Sequence, residues 1–239
     1  MGIKASLALA AVPVLFAIAP AQAGTFVFEE SNLGGNKRVG KHEYIKAEYD
    51  SDTEIFSWTS TFSRNTNNGR LADGAWLVVS DGEDPKNNVD EYAIFYMDGT
   101  TGNVSIYNYD GVNGSNSYQN ETYLGNTALT VDNSVTDERT FSFSLDATTI
   151  NGMKSTFGND WDGVAFDRKI GIWFHGVDGL TTTYNNNDVN QGLDEFKYKK
   201  QGWYDVSNKD ATKVPEPGSV AAIGLFATAA ATQLRKRLG

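Results

Sequence analysis

The 239-residue chain contains no cysteine and only two histidines, His42 and His175. Without cysteine, disulfide bonds, thiolate metal sites and a cysteine nucleophile are excluded. Neither histidine has a second metal ligand on the same short segment, so the spacing does not indicate a histidine metal centre. His42 lies in a basic run with Lys41 and is predicted to belong to a solvated face, whereas His175 is predicted to have a structural or rim role.

Basic residues are also scarce, since 20 Lys and Arg stand against 30 Asp and Glu, for a formal net charge of −10. Residues 1–23 contain only Lys4 as a charged residue, and residues 214–239 contain Glu216 and a terminal basic cluster. The 190 residues in between therefore hold 16 basic and 29 acidic side chains, a net charge of −13. A surface this acidic repels polyanions, which argues against nucleic acid or anionic lipid as the main partner.

The first 23 residues have the organisation of a secretory signal peptide. Lys4 precedes an apolar run over residues 7–18, and the segment ends with Ala21-Gln22-Ala23, a small-x-small cleavage pattern. The apolar run is short against the roughly 20 residues that span a bilayer, which argues against a membrane anchor. The sequence predicts export and cleavage after Ala23.

The last 26 residues, 214–239, have a different organisation. Val214-Pro215-Glu216-Pro217 is followed by mostly small and apolar side chains over residues 218–234, and then by Arg235-Lys236-Arg237. As a helix, the apolar stretch would be about 26 Å long, which suffices to cross a thin hydrocarbon core. The basic cluster would remain in the cytoplasm and place residues 24–213 outside the cell membrane. The sequence thus predicts a short C-terminal transmembrane helix.

This order of Val-Pro-Glu-Pro, apolar segment and terminal basic cluster closely resembles the PEP-CTERM sorting signal, over residues 214–239 only. The resemblance implies export in a Gram-negative-type bacterium and recognition by the membrane protease exosortase. It also implies transient inner-membrane anchoring, delivery to the cell surface or extracellular space, and association with exopolysaccharide. The apolar segment departs from the family pattern, because it is rich in alanine and threonine instead of leucine. Its weak hydrophobicity suits a transient anchor.

Residues 24–213 are rich in asparagine and glycine, which favour turns, and the segments between them are rich in β-branched and aromatic residues. Phe141, Phe143 and Leu145 alternate with serines, the period of a strand with one buried face. Strands are predicted around residues 26–30, 55–62, 76–80, 92–97, 104–109, 141–145, 170–175 and 196–199. No helical period of comparable length occurs.

Turn chemistry predicts two hairpins. Residues 98–102 separate the strands around 92–97 and 104–109, and Asp178-Gly179 separates the strand around 170–175 from residues 180–184. Many short strands with Gly- and Asn-rich turns indicate an all-β fold. We therefore expect one antiparallel two-layer sandwich domain over residues 24–213, of jelly-roll or concanavalin-like type.

No catalytic constellation is evident in the sequence. Serine-hydrolase elbows, Walker A loops and dinucleotide-binding glycine patterns are all missing from it. The adjacent acidic pairs 90–91 and 194–195 would point to opposite faces of a strand, unlike the paired carboxylates of glycosidases. We therefore expect a non-catalytic protein and assign no catalytic residue. A glycan-acting hydrolase with an unrecognised site remains the second alternative.

Calcium is the cofactor that the acidic loops favour, because it takes six to eight oxygen ligands from carboxylate and amide side chains. No other cofactor is expected. Two loops are candidates, around residues 81–90 and 159–163. Such loops are also common as plain solvated turns. The candidate ligands are Asp81, Asp84, Asp90, Asp160 and Asp162.

Aromatic rings near polar loops suggest carbohydrate binding, since sugars stack on rings while Asp and Asn side chains hold their hydroxyl groups. The candidates are Trp161, within an Asp/Asn loop, and the pair Trp203 and Tyr204. Trp58, Trp76 and Trp173 lie in predicted strands and are assigned to the core. The first hypothesis is a non-catalytic matrix protein, and the alternative is a lectin-like module, with or without calcium.

Overall fold

A computed structural model describes residues 24–36 and 38–214 of the chain. Most of this part is β-strand, with short helical turns in the connections. The strands are β1 (Thr25–Asn36), β2 (Gly40–Asp50), β3 (Ile55–Ser63), β4 (Gly74–Ser80), β5 (Ala93–Asp98), β6 (Asn103–Asn108), β7 (Tyr123–Ala128), β8 (Thr130–Asp132), β9 (Glu138–Asp146), β10 (Lys169–Asp178), β11 (Thr181–Tyr184), β12 (Leu193–Lys197), β13 (Lys200–Asp210) and β14 (Thr212–Lys213). The helices α1 (Thr148–Asn151) and α2 (Lys154–Phe157) have one turn each, and 3-10 turns cover Pro85–Asn87, Ser117–Gln119, Asn185–Asn187 and Val189–Gln191.

Two six-stranded sheets form the body of the molecule. The first sheet has the strand order β14-β1-β2-β3-β9-β8, and the second sheet has the order β13-β10-β4-β5-β6-β7. All strand pairs within the two sheets are antiparallel. The prediction of an all-β antiparallel sandwich is confirmed.

The main core lies between the two sheets and follows from the two-residue period of the strands. On β3, Phe56, Trp58 and Phe62 are buried, and their neighbours in the strand are half-buried. Phe56 contacts Phe95 of the second sheet with ring centroids 5.6 Å apart, and Trp58 contacts Phe174 at 5.1 Å. Cross-sheet aromatic pairs therefore hold the two layers together.

A second buried cluster covers the outer face of the second sheet. It includes Trp76, Tyr96, Tyr107, Tyr118 and Phe196. Every residue of β4, β5 and β6 is consequently buried, as expected where both faces of a strand are covered. The segment 109–122 and a separate two-stranded sheet, β11-β12, provide the cover. The fold thus adds a partial third layer to the sandwich.

The first predicted hairpin is confirmed, because β5 pairs with β6 around a turn in which the Asp98 carboxylate accepts hydrogen bonds from the backbone N–H groups of Thr100 and Thr101. The second is wrong. β10 pairs with β4 and β13, and β11 pairs with β12. The Asp73 carboxylate accepts hydrogen bonds from the backbone N–H groups of Gly179 and Leu180. After this turn the chain does not pair with β10, and Leu180 packs against the outer cluster.

No helix in the two described ranges has the length and apolar character that a membrane crossing requires. The predicted cleavage residues Ala21 and Ala23 lie outside these ranges, as do Pro215, Glu216, Pro217, Arg235, Lys236 and Arg237 of the predicted sorting motif. Val214 is described, and its backbone N–H donates a 2.8 Å hydrogen bond to the carbonyl of Thr25.

Candidate functional site

A row of rings crosses the outer face of the second sheet at its β13 edge. Trp203 of β13 lies opposite His175 of β10, and His175 lies opposite Trp76 of β4. The His175 imidazole stacks on the Trp76 indole with centroids 3.9 Å apart and planes 21° apart, and Trp203 follows at 6.4 Å from His175. Trp76 is 1% exposed and Trp203 is 55% exposed, so the row runs from the buried cluster to the surface.

The segment 109–122, which covers part of this face, decides which of the rings is exposed to solvent. Gly114 packs so closely on Trp76 and Trp173 that a Cβ atom at this residue would lie 2.8–2.9 Å from ring carbons of the two indoles. Trp173 in turn contacts Trp76 edge-on, with centroids 4.5 Å apart. The segment therefore seals these two rings and leaves Trp203 uncovered. Trp203 and the packed rings beside it form an aromatic platform on this face.

Polar groups flank the platform. The Tyr198 hydroxyl donates a 2.7 Å hydrogen bond to Oε1 of Gln201, which lies two residues before Trp203 on the same face of β13. Asp205 follows Trp203 by two residues on this face. Burial, followed by repulsion from Asp84, raises the pKa of Asp205. An indole with an amide and a carboxylate beside it offers a sugar both a stacking surface and hydrogen-bond partners.

His175 contributes a neutral ring to this row. Burial lowers its pKa to about 4, against a hydrogen bond to Gln201 that raises it. Its Nδ1 atom and Nε1 of Trp76 are buried without hydrogen-bond partners in the described part of the chain. The predicted rim role of His175 agrees with its half-buried position at the edge of the outer cluster.

The prediction that Trp161 stacks on a sugar is wrong, because its side chain is 0% exposed. Its Nε1–H donates a 2.7 Å hydrogen bond to the carbonyl of Ile150, and its ring contacts Phe157 at a centroid distance of 4.4 Å. Tyr204 is not available either. It points between the sheets, is buried, and donates a 2.6 Å hydrogen bond from its hydroxyl to Glu30. Trp203 is the one carbohydrate candidate of the three that presents its ring to solvent.

The two predicted calcium loops meet in space. Residues Tyr92 and Gly163 form an isolated parallel bridge, and the backbone N–H groups of Asp162 and Gly163 donate to the Glu91 carbonyl. A cavity of about 310 Å³ results. It is lined by Asp81, Glu83, Glu91, Tyr92, Asn159, Asp160 and Asp162.

The carboxylates around this acidic cavity repel one another. Burial, followed by the charges of Asp162 and Glu83, raises the pKa of Asp81. Burial and the same kind of repulsion, from Glu83 first, raise the pKa of Glu91. Lys154 forms a 3.1 Å ion pair with Asp162 at the rim and compensates these charges in part. The cavity therefore concentrates negative charge at one end of the molecule.

The other two calcium candidates lie elsewhere. Asp84 caps the 3-10 turn Pro85–Asn87 by accepting from the backbone N–H of Lys86, and Asp90 accepts a 3.0 Å hydrogen bond from the Asn108 amide. Over residues 24–36 and 38–214, no three His, Asp or Glu side chains are placed so that they could hold one metal ion. The acidic residues are gathered in pairs and clusters, but they are not arranged as a coordination set.

His42 is also not where the sequence predicted it. The solvated-face prediction is wrong, because His42 is 3% exposed and its ring packs between Phe62, at a centroid distance of 4.6 Å, and Phe174, at 5.6 Å. Burial lowers its pKa to about 4, and its Nε2 has no hydrogen-bond partner among the described residues. A register shift in the β2–β3 pairing, between His42 and Tyr44, turns this ring inward although its sequence neighbours Lys41 and Glu43 are charged.

Comparisons with known proteins add little. No family model matches the chain, and no curated protein matches it. One solved structure, from work on pH-induced modulation of Streptococcus parasanguinis adhesion by Fap1 fimbriae, is similar at 13% identity over 79% of this chain and 91% of that chain, with a TM-score of 0.22. A likeness this low bears on neither fold nor function.

Proposed function

We propose that this chain is an exported, non-catalytic β-sandwich protein that holds extracellular polysaccharide on the Trp203 face of its second sheet. The 55% exposure of Trp203 carries the proposal. Burying a large aromatic ring is strongly favourable, and the same chain buries Trp58, Trp76, Trp161 and Trp173 almost completely. A ring left open at the end of a packed aromatic row supports a role in contacting a ligand.

The position of Trp203 on the outermost strand of a sheet favours a polymer over a compact apolar ligand. The surface around Trp203 is part of a sheet, so it suits an extended chain that lies across strands. Gln201 and Asp205 supply hydrogen-bonding groups on both sides of the ring. The apolar face of a pyranose matches an indole, while its hydroxyl groups match an amide and a carboxylate. We regard the Trp203 platform, made of Trp203, His175, Gln201 and Asp205, as the binding surface.

Sorting of the protein is part of the proposal. We propose that residues 1–23 direct export and that residues 214–239 form a PEP-CTERM-type signal for exosortase, with transient anchoring in the inner membrane and final delivery to the cell surface or extracellular matrix. The sheet order supports this division. Strand β14 pairs with β1 through Lys213 and Thr212, so the first sheet is complete before Pro215. Cleavage beyond Val214 would leave every described strand in place.

The topology also supports a finer assignment of the fold. Strands β1-β2-β3 and β4-β5-β6-β7 run as meanders within two six-stranded sheets. A jelly roll has eight strands in two Greek keys, whereas each main sheet here has six strands and contains a meander. We propose the concanavalin-like type.

The test is binding of the purified protein to a panel of immobilised neutral and acidic polysaccharides, with and without EDTA. We expect at least one polymer to bind, and Trp203→Ala to weaken that binding about tenfold or more, the usual loss for a central aromatic contact. Val112→Ala is the matched control, because Val112 is 79% exposed and lies outside the platform. If no polysaccharide binds in either condition, the proposed function is wrong.

A further inference from the structure

A basic cavity interrupts the acidic surface at the opposite end of the sandwich from the acidic cavity. Its volume is about 380 Å³, and it is lined by Arg38, Asn68, Arg70 and Lys200. None of these lining residues is acidic, although the chain has a formal net charge of −10. Three cationic side chains around one concave space create a local positive field within a negative protein.

Three separate elements build this basic cavity. Arg38 lies in the turn between β1 and β2, and Lys200 is the first residue of β13. Asn68 and Arg70 belong to the long connection between β3 and β4. There the Asn68 side-chain oxygen accepts a 3.0 Å hydrogen bond from the backbone N–H of Arg70 and so fixes the loop. The convergence is therefore a product of the fold and not of a basic run in sequence.

Arg70 is oriented by an acidic neighbour. Its Nη1 is buried and forms a 3.4 Å ion pair with an Asp178 carboxylate oxygen, while the Arg70 side chain as a whole is 33% exposed. A guanidinium group has five N–H donors in a planar fork that matches a carboxylate. Asp178 holds one end of this fork, and the three cations of the basic cavity exceed its single negative charge.

Lys200 connects this basic cavity to the Trp203 platform. The two residues are three apart on β13, which places their Cα atoms about 10 Å apart along the strand. Their side chains point to opposite sides of β13 by the alternation of a strand, and β13 is the outermost strand of the second sheet. A polymer that crosses this edge can reach both sides of the strand.

We propose that the basic cavity binds the carboxylate group of an acidic sugar in the same polysaccharide chain that stacks on Trp203. The inference rests on the proposed function and narrows its ligand to a uronic-acid-containing polymer. The guanidinium groups of Arg38 and Arg70 and the ammonium group of Lys200, at the strand edge, attract the carboxylate through their positive charge. This local attraction offsets the repulsion that a chain of charge −10 exerts on an acidic polymer.

The test compares binding to polygalacturonate and to its methyl ester, which has the same backbone without the charge. We expect the wild type to prefer the acid form, and Lys200→Gln to reduce this preference about threefold to fivefold, as for loss of one exposed charge contact. The double variant R38Q/K200Q should reduce it further. Lys199→Gln is the matched control, because Lys199 is exposed and adjacent but does not line the basic cavity.

A second measurement does not depend on the choice of polymer. Inorganic sulfate is titrated at low salt while the Nε–H resonance of Arg70 is followed by NMR. We expect saturable shifts in the wild type and weaker ones in R38Q/K200Q. No shift with sulfate, or an acid preference that survives in the double variant, overturns the anion site.

The two proposals fail separately in these experiments. Binding of both polymers with equal affinity, lost in Trp203→Ala, would reject the anion site and retain the Trp203 platform. Binding that depends on Lys200 and persists in Trp203→Ala would retain the anion site and reject the platform.

Discussion

The imidazole of His175 lies flat on the indole of Trp76, with ring centroids 3.9 Å apart and an angle of 21° between the planes. This stack joins the open ring of Trp203 to the buried outer cluster. An exposed ring on its own would be free to adopt several rotamers. Here a rigid aromatic base lies beneath it, so less conformational entropy is lost when a ligand binds.

The two histidines, whose pKa values are lowered, should make the protein less stable in mild acid. His42 and His175 both have a pKa of about 4 in the folded state, below the unfolded value of 6.5. Their stabilising contribution is complete above the unfolded pKa and is lost as the pH falls towards the folded pKa. Between pH 7 and pH 5.5 we expect each to remove about 1 kcal/mol from the free energy of unfolding, measured with urea. His42→Leu should abolish the contribution of His42 to this loss. If the free energy of unfolding of this variant depends on pH as in the wild type, the low pKa of His42 is contradicted.

Neutralising the acidic cavity should stabilise the protein at neutral pH. Burial and repulsion raise the pKa of Asp81 and of Glu91, so the ionised forms are disfavoured in the fold. For a carboxyl group with a raised pKa, the contribution to stability is present below the unfolded pKa and is lost as the pH rises. Glu91→Gln should therefore raise the melting temperature at pH 7 and have little effect near pH 4. Glu195→Gln, at a half-buried carboxylate that is paired with Lys197, is the control, and equal effects in both variants would argue against repulsion in the cavity.

Substitutions at Trp161 and at Trp203 should have different effects, on stability in the first case and on binding in the second. Trp161→Ala removes a fully buried ring and its hydrogen bond to Ile150, so we expect a loss of about 3–5 kcal/mol in unfolding free energy. Trp203→Ala should change stability by less than about 1 kcal/mol because its ring is mostly in solvent. Chemical denaturation of the two variants measures this difference. A large loss of stability in Trp203→Ala would show that the exposed ring is structural.

Processing of the C-terminus can be read from the mass of the protein recovered from producing cells. If residues 214–239 act as a sorting signal, the mature protein begins at Gly24 and lacks most of this segment. The described sheets end at Lys213, so the processed form should have the same far-UV circular dichroism per strand residue as the precursor. A recovered chain that still ends at Gly239 would rule out the sorting proposal and leave a plain membrane anchor.

Local patterns predicted the strands whose alternation is regular, such as Phe56, Trp58 and Phe62 in β3. Strand β2 is not predicted because charged residues are frequent along it and the register shift beside His42 interrupts its alternation, and β13 is not predicted because its composition is polar. The correct all-β class therefore depended on the other strands. A register shift depends on how two strands pair, so it is difficult to predict from the sequence of either strand alone.

The candidate sites also depend on long-range contacts that the sequence does not show. The two acidic loops were found as loops, but their meeting depends on the long-range bridge between Tyr92 and Gly163. Trp161 and Trp203 look alike in sequence, and only tertiary packing separates them: Trp161 is fully buried and donates to the carbonyl of Ile150, whereas Trp203 is 55% exposed. The convergence of Arg38, Arg70 and Lys200 on one cavity has no sequence signal, since the three lie on distant segments.

Acrylamide quenching of tryptophan fluorescence tests the central claim most directly. The chain has five tryptophans, and Trp203 is the exposed one among them, so collisional quenching reports mainly on this ring. A saturating polysaccharide should protect wild-type fluorescence from acrylamide, and Trp203→Phe should show little quenching with or without the polymer. A polysaccharide that binds while Trp203 remains fully quenchable would contradict the account and place the binding surface elsewhere.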